Sequence, residues 1–424
     1  MSLATALAPF QTRSYRFLWP ADLCTTWALE METLILGWYV FMETKSVVLL
    51  TVFGSLQFVG TLVSPMLGML GDRLGLRQVL VAMRLWYALL AGVLLGLTVS
   101  GVLHPTAVLV VAALSGLIRP SDMGIRSALV AATLPPAHLL SALGVSRTTQ
   151  DSAKVGGALA GAGFMAAFGM GPAYLVITGL YLAGALLTLG VLEGRAPAAA
   201  GGAADARIPA ASAAPRLSPW RELAEGLSHV WHMPRLRAAM GVAALVNLTA
   251  FPLTMGLMPY TAREVFHLDQ QGLGTLVASF ALGALIGSLG LSALGRKLPP
   301  ARTMVAATLL WHVFLAGFVM STQLSWAVAM LVMAGIGQSL SMVTLSIILL
   351  RSAEARMRGR VMGVRMLAIY TLPLGLLVAG ALIPLLGYRP TGLLFVATGL
   401  VFTGGMALLW REELIRRASV ANAP

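Results

Sequence analysis

Uninterrupted apolar stretches of roughly twenty residues recur from one end of this chain to the other, each about long enough for a helix to cross a bilayer. Before residue 195 they fall near Leu18–Phe41, Val47–Leu67, Val79–Ser100, Thr106–Leu129, Leu140–Phe168 and Pro172–Leu192. After residue 235 they fall near Leu236–Tyr260, Gly272–Leu294, Thr303–Met320, Trp326–Leu350, Val361–Leu386 and Gly392–Trp410. In hydrocarbon each backbone N–H and C=O must be satisfied within the protein, so only helices or closed barrels can span. A barrel needs alternating apolar and polar residues, and these stretches are continuous. The expected fold is an all-α membrane protein of twelve transmembrane helices in two pseudo-symmetric six-helix bundles.

Composition supports a lipid solvent: 58% of the 424 residues are hydrophobic, 11% are charged, and the mean hydropathy is +0.84. The formal net charge of +13 would raise the question of a nucleic-acid partner in a soluble protein. Here the basic residues gather in alternate loops, as the positive-inside rule describes, and no nucleic acid is expected. Arg13 and Arg16 precede the first stretch, Arg195 to Arg237 contributes six arginines between the halves, and Arg411, Arg416 and Arg417 follow the last. The alternate loops offer Lys45, Arg263 and Arg389. Both termini are therefore expected in the cytoplasm of a bacterial inner membrane. No cleavable signal is read at the N-terminus, and the lone cysteine, Cys24, can form no internal disulfide.

Four regions follow: a six-helix bundle over 1–192, a cytoplasmic linker over 193–235, a second bundle over 236–411 and a tail over 412–424. The linker opens in a run rich in Ala, Pro and Gly, and closes at Ser218 to His232, where Trp220, Leu223, Leu227, Val230 and Trp231 share one helical stripe. That pattern predicts an interfacial helix on the membrane face.

After the second stretch the chain reads Gly68-Met69-Leu70-Gly71-Asp72-Arg73-Leu74-Gly75-Leu76-Arg77. This resembles the loop 2–3 signature of the major facilitator superfamily, with the acid, both framing glycines and the basic positions in place. Gly68 lets a neighbouring helix approach, Gly75 permits a tight reversal into the third span, and Asp72 can accept from amides at a helix N-terminus. Arg73 and Arg77 supply the basic positions. By the resemblance the helix that Asp72 meets is the eleventh, near Gly359 to Val361. The second half retains Gly295-Arg296-Lys297 but has Ser292 where the acid falls, a degenerate copy that fits an internal repeat. Looser matches at Trp38-Tyr39, Arg147-Thr148-Thr149 ahead of Gly156-Gly157, and Ala355 to Gly363 resemble the bacterial enterobactin-exporter and multidrug-efflux branch. The branch's fourth-span arginine motif expects glycine four residues after the arginine; Arg119 is followed by Pro120 and reaches Gly124.

Charges inside apolar stretches are costly, so each must be paired, protonated or beside water. In the first stretch Asp22, Glu30 and Glu32 are such charges. Glu30 and Glu32 stand about 200° apart on a helix, so one lines a cavity and the other meets a neighbouring helix. A carboxyl at that depth can exchange protons as the cavity alternates between sides; Glu30 is the first choice, Glu32 the second, and Asp22 is structural. Arg119, Asp122 and Arg126 form one stripe, and Arg147, Asp151 and Lys154 another. If those faces meet, Arg119 pairs with Asp151 and Asp122 with Arg147, leaving Lys154 for an anionic group of a substrate. In the second half the isolated polar residues Asn247, His312, Gln338 and Arg365 are the cavity candidates.

No ATP-binding loop, metal-ligand cluster or nucleophile elbow is present in the sequence, so no cofactor or metal is expected. Transport must then be downhill or ion-coupled. The leading expectation is a monomeric, proton-coupled exporter of amphipathic small molecules, such as drugs or siderophore-like metabolites. A flippase or facilitator of lipid-like substrates and an uptake symporter are the alternatives within transport. A membrane-embedded enzyme or receptor would call for a catalytic dyad or a ligand domain, and neither is legible.

Overall fold

The computed structural model describes residues 8–61, 74–192, 219–294, 298–353 and 357–410. These residues are helical, with no strand among them. The first half holds α1 (Arg13–Thr44), α2 (Val47–Leu56), α3 (Leu76–Val99), α4 (Pro105–Thr133), α5 (Pro136–Phe168) and α6 (Met170–Leu189). A short helix, α7 (Pro219–His232), precedes the second half: α8 (Pro234–Thr249), α9 (Gln270–Leu294), α10 (Pro300–Met320), α11 (Leu324–Ser352), α12 (Arg358–Ile369), α13 (Thr371–Leu386) and α14 (Tyr388–Leu409). Prolines open several of these helices, among them α4, α5, α8 and α10, where a missing N–H leaves no internal bond unmade.

Nine helical segments among the described residues are long and apolar enough to cross a membrane. The three remaining expected spans correspond to α1, α2 and α5. Helices α1 and α5 are 32 and 33 residues long, but they carry Asp22, Glu30 and Glu32, and Arg147, Asp151 and Lys154, which lower their hydropathy. Helix α2 has only 10 residues before the chain turns into a 3-10 segment at Val59–Thr61. Gly68, Asp72 and Arg73 of the signature loop lie outside the described residues, as do Gly295 to Lys297, residues 193–218 and the tail. Gly75, at the start of α3, has φ +96°, in the region glycine enters without a steric penalty.

Within the first half α1 packs against α5 and α6, and α3 against α6; within the second, α10 and α9 both pack against α11. Backbones cross at glycine. A Cβ on Gly157 of α5 would lie 2.8 Å from the Cβ of Glu30, and one on Gly161 3.0 Å from the Cα of Met31, so only small residues let α1 and α5 approach this closely. The outward faces are apolar and exposed, as at Leu85, Leu89 and Leu186, which suits lipid contact.

Among the described residues the halves meet chiefly along two pairings, α5 with α9 and α2 with α13. Ala158 and Ala162 lie against Gly274; Thr51 lies against Gly380, and the Ser55 hydroxyl donates to the Pro373 carbonyl at 3.2 Å. Phe41 and Tyr260 meet edge to face with centroids 5.5 Å apart. Among the described residues these contacts gather in the half of the bundle remote from the termini. Beyond α8 the chain continues through wide π turns at Pro252–Gly256 and Thr261–Val265, loosening the helix where it faces α1.

The amphipathic stripe expected before the second half forms α7, but the stripe is only partly covered. Val230 is buried, whereas Leu227 and Trp231 are exposed. Glu225 of α7 pairs with Arg360 of α12, and Arg237 stacks 5.6 Å from the Trp231 ring, so the helix is tied to the second half by charge as well as by apolar contact.

Candidate functional site

A cavity of about 140 Å³ lies between the two halves, at the level where α1, α2, α4 and α5 face the segment that follows α8 together with α9, α11 and α13. Its two walls differ in chemistry. The first half contributes Glu30, Thr33, Gln57, Arg119 and Lys154, whereas the second is lined chiefly by apolar groups such as Phe251, Met255, Val277, Phe280 and Leu372, with Thr254 and Gln338 as polar exceptions. A site with a greasy wall and a few convergent polar groups suits an amphipathic small molecule.

Arg119 reaches the cavity from α4. It donates to the Gln57 side-chain oxygen and, at 3.2 Å, to the Thr33 hydroxyl. The expected pairing of Arg119 with Asp151 is thus replaced by neutral acceptors on α2 and α1. The cause is helix packing: Gly116 of α4 sits against the backbone at Leu56 and Gln57, and Gly60 against Leu117, which turns this face of α4 toward α2 rather than α5. Asp151 is buried on α5. The expected pairing of Asp122 with Arg147 involves a side chain, that of Arg147, outside the described residues. Asp122 is buried, and its Oδ1 has no hydrogen-bond partner among the described residues.

Glu30 and Lys154 face the same cavity from α1 and α5, and no ion pair joins them among the described residues. Glu32, on the opposite side of α1, is buried inside the first half and accepts from the Tyr181 hydroxyl at 2.7 Å. Asp22 lies roughly two turns from Glu30, nearer the N-terminus, and forms an ion pair with Arg84; its other oxygen is 4.0 Å from the Arg126 Nε. Arg84 is fully buried and also donates to the Thr188 hydroxyl and, at 3.2 Å, to the Gly184 carbonyl. Arg126 donates to the Thr26 hydroxyl at 3.3 Å. Arg77 donates to the Val191 carbonyl at 3.1 Å, tying the start of α3 to the end of α6.

Of the four second-half candidates, Gln338 lines the cavity and three do not. His312 is buried between α8 and α10, with Nε2 2.9 Å from the Thr249 hydroxyl and Nδ1 2.8 Å from the Thr308 carbonyl. Gly399 of α14 packs directly on its ring, leaving no room for a ligand. Asn247 donates to the Ala243 carbonyl one turn back on its own helix, at 2.8 Å. Arg365 donates to the Ser346 hydroxyl at 2.9 Å, stitching α12 to α11. Polar residues in apolar helices commonly serve such packing bonds.

Two residues that the sequence reading does not single out, Arg84 and Gln57, organise this region. Each lies within an expected span, so the cost of a polar group in hydrocarbon, which marks Asp22 and Glu30, marks them as well.

The chain matches the family model described as Major Facilitator Superfamily over residues 2–269 and 240–422. Over 189 residues it is 31% identical to proteins described as "Multidrug efflux pump Tap" from Mycobacterium bovis and Mycobacterium tuberculosis; the match covers 44% of this chain and 44% of each relative, under half their length. Among solved structures it is similar to a bacterial homologue of the human lysosomal transporter Spinster, described as inward-facing and unoccupied, with a TM-score of 0.71 at 13% identity over 95% of this chain and 98% of that one. The POT family transporter PepTSo superposes with a TM-score of 0.71 at 12% identity, covering 95% and 98%. The human organic anion transporter MFSD10 gives 0.63 at 18% identity, covering 93% and 99%. Structural likeness at these identities bears on the fold alone.

Proposed function

The chain belongs to the major facilitator superfamily, and from that premise we propose that it is a proton-coupled exporter of amphipathic small molecules, drugs or siderophore-like metabolites among them. The observation that carries this reading is the cavity between the halves, charged on one wall by Glu30, Arg119 and Lys154 and apolar on the other. The mycobacterial efflux relatives add weight to the direction of transport.

In this reading twelve spans form two six-helix bundles, over 1–192 and 236–411, joined by the cytoplasmic linker at 193–235, with a tail over 412–424. The protein is a monomer in a bacterial inner membrane, with both termini inside. The contacts of α2 with α13 and of α5 with α9 then close the outer side, and the cavity belongs to a state that receives cargo from the cytoplasm or inner leaflet. Export requires Thr51 to part from Gly380, and Ala162 from Gly274, while the opposite ends close. Rocking of two bundles about a midplane site does this without dismantling either bundle. Glu30, the carboxyl of α1 that faces the cavity, links the two movements by exchanging the coupling proton. Asp72, by family resemblance, steadies the state closed toward the cytoplasm.

The test is movement of ethidium, an amphipathic fluorescent probe, in proteoliposomes with and without an imposed pH gradient. Wild-type protein should drive ethidium against its gradient, with protons moving in the opposite direction. Glu30→Gln should abolish gradient-driven movement while exchange of ethidium for ethidium continues. Wild-type transport indifferent to the pH gradient would overturn proton coupling and favour the facilitator or flippase reading.

A further inference from the structure

Far from the cavity, the start of α8 holds a cation that the cargo path does not use. The guanidinium carbon of Arg237 lies 5.6 Å from the ring centroid of Trp231, near the end of α7, and 5.3 Å from that of Trp410, just after α14. At these separations an indole face attracts a cation, yet it takes up none of the five N–H donors as an oxygen would. Arg77, Arg84, Arg119, Arg126, Arg360 and Arg365 each donate to an oxygen or carboxylate. Arg237 has no such acceptor among the described residues, and its Nε is shielded from solvent without a partner.

The surroundings put this cation at the edge of the hydrocarbon. Helix α8 opens one membrane-length apolar segment and α14 forms another. Leu408 and Leu409, in the last turn of α14, are largely exposed, and so are Leu227 and Trp231 on α7. Exposed leucines at the end of a span meet acyl chains, and indoles gather at the level of the headgroups. A half-buried guanidinium at that level, drawn to two rings and bonded to no carboxylate, keeps its full charge for an acceptor arriving from the bilayer.

We propose that Trp231, Arg237 and Trp410 form a binding site for the phosphate of an anionic phospholipid, with Leu408 and Leu409 beneath it against the acyl chains. The two free oxygens of a phosphodiester suit the planar fork of a guanidinium, and the bond is charge-assisted. A headgroup of net charge −1, such as phosphatidylglycerol, gains the whole attraction. Phosphatidylcholine brings a second cation toward Arg237, and the indole faces that would attract its quaternary ammonium are already turned to the guanidinium. The three residues come from the end of α7, the start of α8 and the end of α14, so an occupied site staples the linker helix to the second half. This proposal stands apart from the export reading, because it involves no cargo and no coupling proton.

The test is titration of delipidated full-length protein with phosphatidylglycerol and, separately, phosphatidylcholine, with lipid adducts resolved by native mass spectrometry. Wild-type protein should bind phosphatidylglycerol about tenfold more tightly. Arg237→Met keeps the length of the side chain and should abolish the preference; Arg237→Lys should keep only part of it, since an ammonium offers no planar fork. Arg235→Met removes the same charge from the same helical turn and should leave the preference in place. No preference in the wild type, or equal losses in Arg235→Met and Arg237→Met, overturns the proposal. Displacement of the lipid by an equal concentration of inorganic phosphate overturns it in favour of a free-anion site. A preference that emerges only in the Glu412→Gln, Glu413→Gln double variant overturns it in favour of the acids that follow Trp410 in the sequence. If Arg237→Met fails to fold, Trp231→Leu, at an exposed position, decides instead: the preference should weaken, and an unchanged one is the overturning result.

Discussion

Asp22 is held by the guanidinium of Arg84, a side chain fully shielded from solvent that also reaches Thr188 and Gly184 on α6. Three helices, α1, α3 and α6, therefore converge on one ion pair. Neither residue lines the cavity. Removing Arg84 leaves the buried Asp22 carboxylate with Arg126, 4.0 Å away, as its remaining cation, at a cost of up to about 3–5 kcal/mol. Arg84→Leu should lower the thermal midpoint of the purified protein sharply. Adding Asp22→Asn should restore part of the loss, because the under-paired carboxylate is then gone while Arg126 loses its contact. If the double variant is no more stable than Arg84→Leu alone, the pair is not the source of the effect.

The seal between α2 and α13 depends on the absence of a side chain at Gly380, where an added Cβ would collide with the Thr51 hydroxyl. That hydroxyl is already engaged, donating to the Val48 carbonyl at 2.9 Å, and a β-branched residue on a helix has little rotamer freedom to yield. Gly380→Val should wedge the two helices apart and move the population away from the state described here. Spin labels at the exposed positions Lys45 and Arg389, with Cys24 first replaced by serine, should report longer distances. Gly404→Val is the control, since nothing lies near a Cβ added there. Equal distance distributions in the two variants would mean that the Gly380 contact does not govern closure.

Orientation rests on the loop arginines. A cysteine placed at Ala204 should resist an impermeant maleimide in intact cells and react once the membrane is opened, whereas cysteines at Arg263 and Arg389 should react from outside. Labelling of the Ala204 position in intact cells would reverse the assignment of the sealed face and, with it, the direction in which the cavity opens.

Nine apolar spans among the described residues were legible, because hydrocarbon thickness translates directly into a run of apolar residues. Their rotations were not. Helical geometry separates Glu30 from Glu32, but which of them meets the cavity depends on how α1 is turned, and that is decided by Gly157 and Gly161 on α5, far away in the chain. Arg119 illustrates the same limit. Its spacing to Asp122 and Arg126 marks a stripe, yet the stripe's partner is chosen by the glycine crossing of α4 with α2, and the neutral Gln57 takes the place of an acid. His312 and Asn247 stand out in the sequence as isolated polar residues; only packing reveals that their bonds are spent within the second half. Helices α1 and α5, the expected spans hardest to justify by hydropathy, supply Glu30 and Lys154 to the cavity, so the charges that lower their hydropathy include those on its polar wall.

Gln57 provides the last prediction, since it accepts from Arg119 without neutralising it. Half-buried at the cavity edge, the guanidinium keeps its charge available to an occupant while its Nη1 donates to Gln57 and Thr33. Gln57→Leu removes the main acceptor and leaves a charged donor short of a partner, a loss of about 1–3 kcal/mol that should lower the thermal midpoint. Gln57→Glu acts in the opposite sense: it keeps an acceptor in place and adds a charge-assisted bond, so stability should hold or rise. Cargo recognition should separate from stability in this second variant. With Arg119 neutralised by its neighbour, an anionic amphipathic probe such as a dansyl-labelled amino acid should bind more weakly than to wild type, whereas binding of cationic ethidium should strengthen. Thermal unfolding and fluorescence titration on the same preparations check both halves. Parallel changes in the two probes' affinities would mean that Arg119 acts through helix packing and not through its charge in the cavity.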